Sequence, residues 1–449
     1  MRLTNSRRLA YLGCALSIGV FSAFNNYTMS LWLTEFTTSY ILISLLGNSK
    51  SVEGAIVSPL AGIWSDRTWA GWLGRRRPFI LGGGLLSALL LAATPTITRL
   101  PIQAELPGLP DGLAHLAPMV VAIFLFTLTF NMADDIHKAL RADIAKGAEL
   151  NLLSSLATVV DIGGQVAILV LGFLIWSDGV PDSAFIVAGV LIAAGAITTT
   201  LGVREPPPEV WHAMRTAEAT QETSAPSARR RRIRASQLRR YGSFASLRMT
   251  IRPGSPLSLL AQYRGALMFC LVTFAYWSGV NAVLPLVSIF VRDILNTTVG
   301  EAQLLPGLLL LSTTAMAVPM GQLGTRFGKR RMLAAGYTVM GLAAVMGLVI
   351  TTKEQGAVLF LLAGLGNSAT VVLAIPLMAD LVPRHQMGAA AGMLAASGSI
   401  AAPLASFVAG GLSEVYGPRA IFAVMAAMVC VALLLLLGVR TERGLRMQD

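Results

Sequence analysis

Twelve apolar blocks follow one another along this chain, and they bound its fold before any motif is read. They run over roughly 9–33, 40–64, 78–98, 115–141, 152–176, 183–203, 264–290, 302–324, 332–351, 356–379, 387–411 and 418–438. A helix of about 20 residues crosses ~30 Å of hydrocarbon, and each block reaches that length. The blocks are apolar on every side instead of alternating, which excludes a membrane β-barrel. Composition agrees, with 54% hydrophobic and 13% charged residues. Soluble domains carry about 45–50% and about 25%. The expectation is an all-α membrane protein with twelve transmembrane helices. The first block reads as a span and not as a cleaved leader, because it is long, holds Asn25 and Asn26, and opens a series of like blocks.

The formal charge is +12, which raises nucleic acid as a partner. Placement argues against it. With the N-terminus inside, 30 of the 35 basic residues fall in cytoplasmic segments; Lys50, Arg99, Arg292, Lys353 and Arg419 are the rest. That bias implies two cytoplasmic termini and a multi-pass protein of a bacterial inner (plasma) membrane. The partner is then the lipid bilayer, with no nucleic acid, and a monomer is expected. Cys14, Cys270 and Cys430 lie inside spans, and His115, His137, His212 and His385 are scattered. Neither a disulfide framework nor a metal site is expected. No Gly-rich phosphate loop, ligand cluster or nucleophile triad is present, so neither a cofactor nor an enzymatic activity is expected.

Between 204 and 262 the apolar pattern stops. This stretch is rich in Arg, Ser, Ala and Pro and reads as a cytoplasmic linker. Its "RRRRIR" (229–234) fits either anionic lipid headgroups or a positive-inside anchor with no partner. The two sides of the linker repeat each other. "GIWSDRTWAGWLGRRR" (62–77) ends the second span and "GQLGTRFGKRR" (321–331) the eighth. "NMADDIHKALRADI" (131–144) ends the fourth and "NSATVVLAIPLMADL" (367–381) the tenth. "SAFNNY" (22–27) in the first span matches "SGVNAV" (278–283) in the seventh. Three matches in one order imply two related six-helix bundles, 1–203 and 263–449, joined by the linker. Transporters built from parallel repeats bind substrate at the bilayer midplane between the halves.

"GxxxDR" followed by "GRRR" resembles the loop signature of the major facilitator superfamily. The resemblance covers the whole chain apart from the linker. The expanded form "SDRTWAGWLGRRRPF" (65–79) is similar to the sucrose and maltose proton symporter branch (glycoside-pentoside-hexuronide-like), as is "N…KALRADI". The second half departs from it, with Thr325 where aspartate is usual and a short spacer. The resemblance implies two bundles related by a pseudo-two-fold and alternating access. It also implies a gate, in which Asp66 caps a neighbouring helix while an arginine pairs with the fourth-span carboxylate. Gate residues on this reading are Gly62, Asp66, Arg67, Arg75, Arg76, Arg77 and Asp143, with Gly321, Arg326, Arg330 and Asp380 in the second half. Gly62 and Gly321 are expected where helices approach closely. The arginines alone also fit positive-inside anchoring. Partly exposed pairs contribute only about 0–1 kcal/mol each.

Charges inside the spans cluster in the first half: Lys50, Glu53, Asp134, Asp135 and Asp161. Inserting a carboxylate at a helix centre costs about 2.5–3.5 kcal/mol, so each belongs on a cavity or against another charge. Lys50 and Glu53, three apart, read as a pair lining a polar cavity or as part of a coupling site. Asp134 and Asp135 share Lys138, which neutralises one of them well; the other needs a further partner or carries a proton. Asp161 has no basic neighbour on its span and is either a proton carrier or a capped structural carboxylate. In the symporter branch the coupling acid lies two turns before Asp134, where this chain has Thr127.

Tyr276, Trp277 and Asn281, opposite Asn25, Asn26 and Tyr27, suit a polyhydroxylated ligand, since rings pack on C–H faces and amides bond hydroxyls. Helix packing is the competing reading. Asn131 and Asn367 are further cavity candidates. Trp32, Trp64, Trp69, Trp72, Trp176 and Trp211 read as interfacial anchors. The leading expectation is proton-coupled uptake of a sugar or similar small solute. The alternatives are a proton-antiport exporter of amphipathic compounds and a membrane assembly or pigment-carrier protein. Cavity polarity discriminates them, because an exporter of hydrophobic compounds lines its cavity with Phe, Met and Leu.

Overall fold

The computed structural model describes residues 3–51, 61, 64–65, 68–100, 116–145, 148–205, 263–382 and 387–439. Among them, 11 helices are long and apolar enough to cross a membrane. The first half holds α1 (Asn5–Leu33), α2 (Tyr40–Gly47), α3 (Arg77–Thr98), α4 (Ala117–Ile144), α5 (Ala148–Ile175) and α6 (Asp182–Gly202). The described part of α2 opens the second apolar block; most of the rest of that block lies outside the described residues. The second half holds α7 (Arg264–Val283), α8 (Val287–Ile294), α9 (Val299–Phe327), α10 (Lys329–Val349), α11 (Lys353–Leu381), α12 (Met387–Tyr416) and α13 (Ala420–Gly438). The 264–290 block is therefore broken. Pro285 has no N–H to continue the ladder, so the chain turns between α7 and α8.

The same pairing occurs in both halves. α1 packs on α5 and α6, and α3 on α4 and α6; α7 packs on α12 and α13, and α10 on α11 and α13. Small residues permit this. A Cβ on Gly164 would strike the Leu16 carbonyl, and one on Gly364 the Leu309 carbonyl, so α1 meets α5 and α9 meets α11 backbone to backbone. Gly321 is a correction: a Cβ there meets only Val372 Cγ1, at an ordinary 3.6 Å. The tight position is Gly324, one turn on, where a Cβ would lie 2.5 Å from Leu373.

We name the helix ends inner and outer after the orientation that the basic residues imply; α1 begins and α13 ends at the inner one. The halves meet at the outer end. There α2 packs on α12, and α5 on the first turns of α9. Thr28 Oγ1 donates to Gln303 at 3.0 Å, Arg292 Nη1 to Thr34 at 2.9 Å, and Ser39 Oγ to Glu414 at 2.6 Å. Two tryptophans read as interfacial anchors are core residues instead. Trp32 is fully buried against Phe36 and Phe185, and Trp176 is 3% exposed. Trp64, Trp69 and Trp72 are exposed.

Candidate functional site

Three of the first-half candidates for ligand contact, Asn25, Asn26 and Tyr27, sit on a single irregular turn. Residues Phe24–Thr28 of α1 adopt the wider π geometry, which recurs at functional sites because it re-aims side chains. The turn separates Asn25 from Asn26. Asn25 Nδ2 donates to the Gly47 carbonyl at 2.8 Å and is buried, whereas Asn26 and Tyr27 face a cavity of about 180 Å³. From the other half α7 contributes Trp277, Val280 and Val283 to the same cavity, and Leu284 follows just after it. Leu309, Leu310, Met340, Phe360, Phe422 and Met425 supply most of the remaining wall. The polar groups on it are few: Asn26, Tyr27, Gln165, Trp277 and Asn367.

Several residues expected at the ligand are bonded within the bundle. Tyr276 is buried, stacks on Tyr337 with ring centroids 4.7 Å apart, and donates its hydroxyl to Asn367 Oδ1 at 2.8 Å. It thus orients Asn367, whose Nδ2 reaches Thr313 at 3.3 Å. Asn281 does not line the cavity: its Nδ2 returns to the Trp277 carbonyl, and its Oδ1 accepts from Asn48 at 3.2 Å. Asn131 donates to the Lys50 carbonyl at 2.9 Å, fastening α4 to the chain just after α2.

The charged residues form one cluster in the first half. Asp134 is 2% exposed, and both Lys50 Nζ (3.1 Å) and Lys138 Nζ (3.0 Å) converge on its Oδ2. Its Oδ1 is buried with no hydrogen-bond partner. Lys50 also lies over the rings of Phe21 and Phe130, which stack 3.6 Å apart. The pairing expected between Lys50 and Glu53 is therefore not the one described; Lys50 reaches across to α4, and Glu53 lies outside the described residues. Asp135 is 3.9 Å from Lys138. His137, buried, stacks on Tyr11 at 4.1 Å, and its Nε2 sits 3.1 Å from the Tyr11 carbonyl, so it packs α4 on α1. Asp161 accepts from Gln165 Nε2 at 3.5 Å, and Gln165 is on the cavity wall. This i, i+4 step on α5 links the cluster to the cavity.

At the inner end the arginines of "GRRR" are buried, with Arg75, Arg76 and Arg77 all below 8% exposure. Arg75 Nη2 lies 2.6 Å and Arg76 Nε 3.1 Å from Asp143 Oδ2 at the end of α4. Arg76 also bonds Ser65, and Arg77 the carbonyls of Thr200 and Trp72. Glu205, just past α6, accepts the backbone N–H groups of Arg75, Arg76 and Arg77 at 3.0, 2.8 and 3.0 Å. A carboxylate therefore caps the positive end of α3. Gly62, Asp66 and Arg67 lie outside the described residues. The second half differs from the expected arginine–acid pairing. Lys329 Nζ holds Asp380 at 2.7 Å, Arg330 donates to the Leu436 and Leu437 carbonyls, and Arg326 lies over Phe327. Lys329 opens α10 straight after Gly328, whose φ of 96° turns the chain back toward α11. Thr325 bonds its own helix at the Gln322 carbonyl.

The sequence profile of the Major Facilitator Superfamily matches residues 11–265 and 269–447. The chain belongs to that superfamily. It is similar to the multidrug resistance protein MdtG of Salmonella choleraesuis, 33% identical over 171 residues, covering 37% of this chain and 41% of that protein. It is also similar to an uncharacterized MFS-type transporter of Methanocaldococcus jannaschii, 22% identical over 147 residues, 33% of this chain and 38% of that one. The chain spans about two fifths of the length of these curated relatives. Among solved structures, a D-xylose-proton symporter superposes with a TM-score of 0.69 at 17% identity, covering 96% of each chain. A point mutant of the nucleoside transporter NupG gives 0.68 at 11%, over 97% of this chain and 100% of that one. Such identities establish the fold alone.

Within the superfamily fold, the sequence residues that meet at the cavity are Asn26, Tyr27, Trp277 and Asn367. Lys50 and Lys138 meet at Asp134, Asp135 lies near Lys138, and Asp161 reaches the cavity wall through Gln165. Sequence reasoning missed Gln165 as a cavity residue, although it stood one turn from Asp161. It also missed Glu205, an acid just past α6 that the fold sets against a triple arginine.

Proposed function

We propose that this chain is a secondary exporter of an apolar or amphipathic compound, driven by proton entry. The observation that carries the proposal is the cavity wall. Leu, Val, Met and Phe side chains dominate it, and five residues supply its polar groups. A sugar needs a hydroxyl partner on most of its edges, because each hydroxyl left unbonded on burial costs about 1–3 kcal/mol. An apolar wall instead gains about 25 cal/mol per Å² of hydrocarbon buried. The similarity to a multidrug resistance protein supports the same reading. Asp161 is the proton carrier in this scheme: its described side-chain bond is to Gln165, which stands between it and the bound compound.

The test supplies inverted vesicles with a fluorescent amphipathic dye in the outer medium and, in parallel, loads them with radiolabelled xylose and sucrose. Accumulation of dye that requires an inside-acid gradient, and collapses with a protonophore, is the expected result. Movement of either sugar with no movement of dye would sink the export reading and restore sugar uptake.

A further inference from the structure

We propose that the exported compound is neutral and carries a hydrogen-bond acceptor, a carbonyl or similar oxygen, which the second half holds with the N–H groups of Asn367 and Trp277. This substrate class presupposes the export reading. The sense of the Asn367 amide follows from its neighbours. Thr313 Oγ1 commits its one hydrogen to the Gly364 carbonyl at 3.1 Å, so toward Asn367 it can only accept. The group 3.3 Å from it is therefore the Asn367 NH2, and Oδ1 turns to the Tyr276 hydroxyl at 2.8 Å. Tyr276 is fully buried and stacked on Tyr337, which holds its hydroxyl in place. Asn367 stands on the cavity wall, and its NH2 has a second hydrogen to offer there.

Trp277 adds a second donor. An indole N–H never accepts, and that of Trp277 bonds to nothing among the described residues. Gly398 of α12 keeps that edge of the ring open. A Cβ at 398 would already lie 3.2 Å from Cδ1 and 3.6 Å from Nε1, so a larger side chain would cover the N–H. Against these two donors the second-half wall sets one lone pair of Asn367 and the sulfurs of Met340 and Met425, which accept weakly. None of the described lining residues is charged. Asp161 stands behind Gln165 and not on the wall. A cation placed against the donors would meet N–H groups and hydrocarbon, and burying it unpaired costs far more than burying a carbonyl.

The experiment is a fluorescence titration of the purified full chain in detergent micelles with three probes of one shape. The first is a dimethylaminonaphthalene bearing a propionyl group. In the second a propyl group replaces the propionyl, and in the third an aminopropyl group, which is cationic. The readout is the ratio of ketone to hydrocarbon affinity, because partition from water cancels when variants are compared. Asn367→Leu should lower that ratio by about tenfold, the effect of a buried carbonyl left without its hydrogen bond. Trp277→Phe keeps a ring and removes the N–H; it should lower the ratio by about threefold and decides alone if Asn367→Leu does not fold. Tyr276→Phe keeps the stack on Tyr337 but frees the amide to turn over. It should lower the ratio by about twofold, the share of an amide split between two orientations, with hydrocarbon affinity unchanged. The ammonium probe should bind the parent about tenfold more weakly than the ketone, or worse. An unchanged ratio in a monodisperse Asn367→Leu protein, or an ammonium probe that binds the parent as tightly as the ketone, would overturn the acceptor assignment and leave the export reading standing. Binding of none of the three probes would overturn both.

Discussion

Removing the carboxylate of Asp143 takes a shared acceptor from two buried guanidiniums. Arg75 and Arg76 side chains are 4% and 9% exposed, and both reach the same Asp143 oxygen, at 2.6 and 3.1 Å. The sequence reading treated this as a partly exposed latch contributing about 0–1 kcal/mol. Its burial places it in another class, where deleting one partner costs about 3–5 kcal/mol. Two features reduce that figure: Asp143 is itself 17% exposed, and Arg76 keeps a bond to Ser65. Asp143→Ala should therefore lose about 2–4 kcal/mol. Asp143→Asn keeps an acceptor oxygen and should lose roughly half as much. The assay is a double-mutant cycle with Arg75→Ala, read by reversible unfolding in mixed detergent micelles. A coupling of about 1.5–3 kcal/mol is expected for groups in direct contact. A coupling below about 0.5 kcal/mol, the range for independent sites, would refute the argument that burial sets the strength of this pair. On the gate proposal, both single variants also slow transport.

Asp161→Asn should abolish gradient-driven dye movement while leaving dye binding within about twofold, because Gln165 and not Asp161 forms the cavity wall; fluorescence titration of binding beside vesicle transport separates the two. The glycines of the second half make a paired test by thermal or denaturant unfolding. Gly364→Leu forces a side chain into the Leu309 carbonyl and should cost about 1–3 kcal/mol or prevent folding, whereas Gly321→Ala, with 3.6 Å of room, should fall within about 0.5 kcal/mol of the parent.

The span pattern and the repeated loop motifs were legible because hydrophobic length and local spacing are properties of neighbouring residues. Partner choice was not, because it is set by which helices meet. Lys50 had Glu53 three residues away but reaches Asp134 across to α4. Asp380 had Arg326 and Arg330 as its expected partners and is held by Lys329, which the turn at Gly328 delivers. Trp32 stands at a span end, yet α1 turns that end inward against Phe185, so depth in the membrane did not reveal burial in the bundle. The amides near the centres of the first and seventh spans were equally ambiguous. A π turn aims Asn26 at the cavity and its neighbour Asn25 at a backbone carbonyl, a difference of one residue that spacing alone does not encode.

The division of labour between the halves bears on how the export reading would work. Lys50, Asp134, Asp135, Lys138 and Asp161 all belong to the first half, whereas the second half supplies most of the cavity wall. The formal charge of those five is −1, so one proton brings the cluster to neutrality without displacing either lysine from Asp134. That proton, moving inward through 100 mV, delivers about 2.3 kcal/mol. Spent wholly on the balance between the two access states, this energy shifts it by about fiftyfold. Such a shift is useful only if the second half feels it. Gln165 is placed for that, with one end of its side chain on Asp161 and the rest on the cavity wall opposite Trp277 and Asn367. Coupling by this route predicts that Gln165→Leu, which keeps the wall's shape and removes the bond, leaves dye binding intact but makes transport insensitive to the proton gradient. Transport that kept its full gradient dependence in that variant would place the connection elsewhere, on the Lys50–Asp134 contact between the segment after α2 and α4.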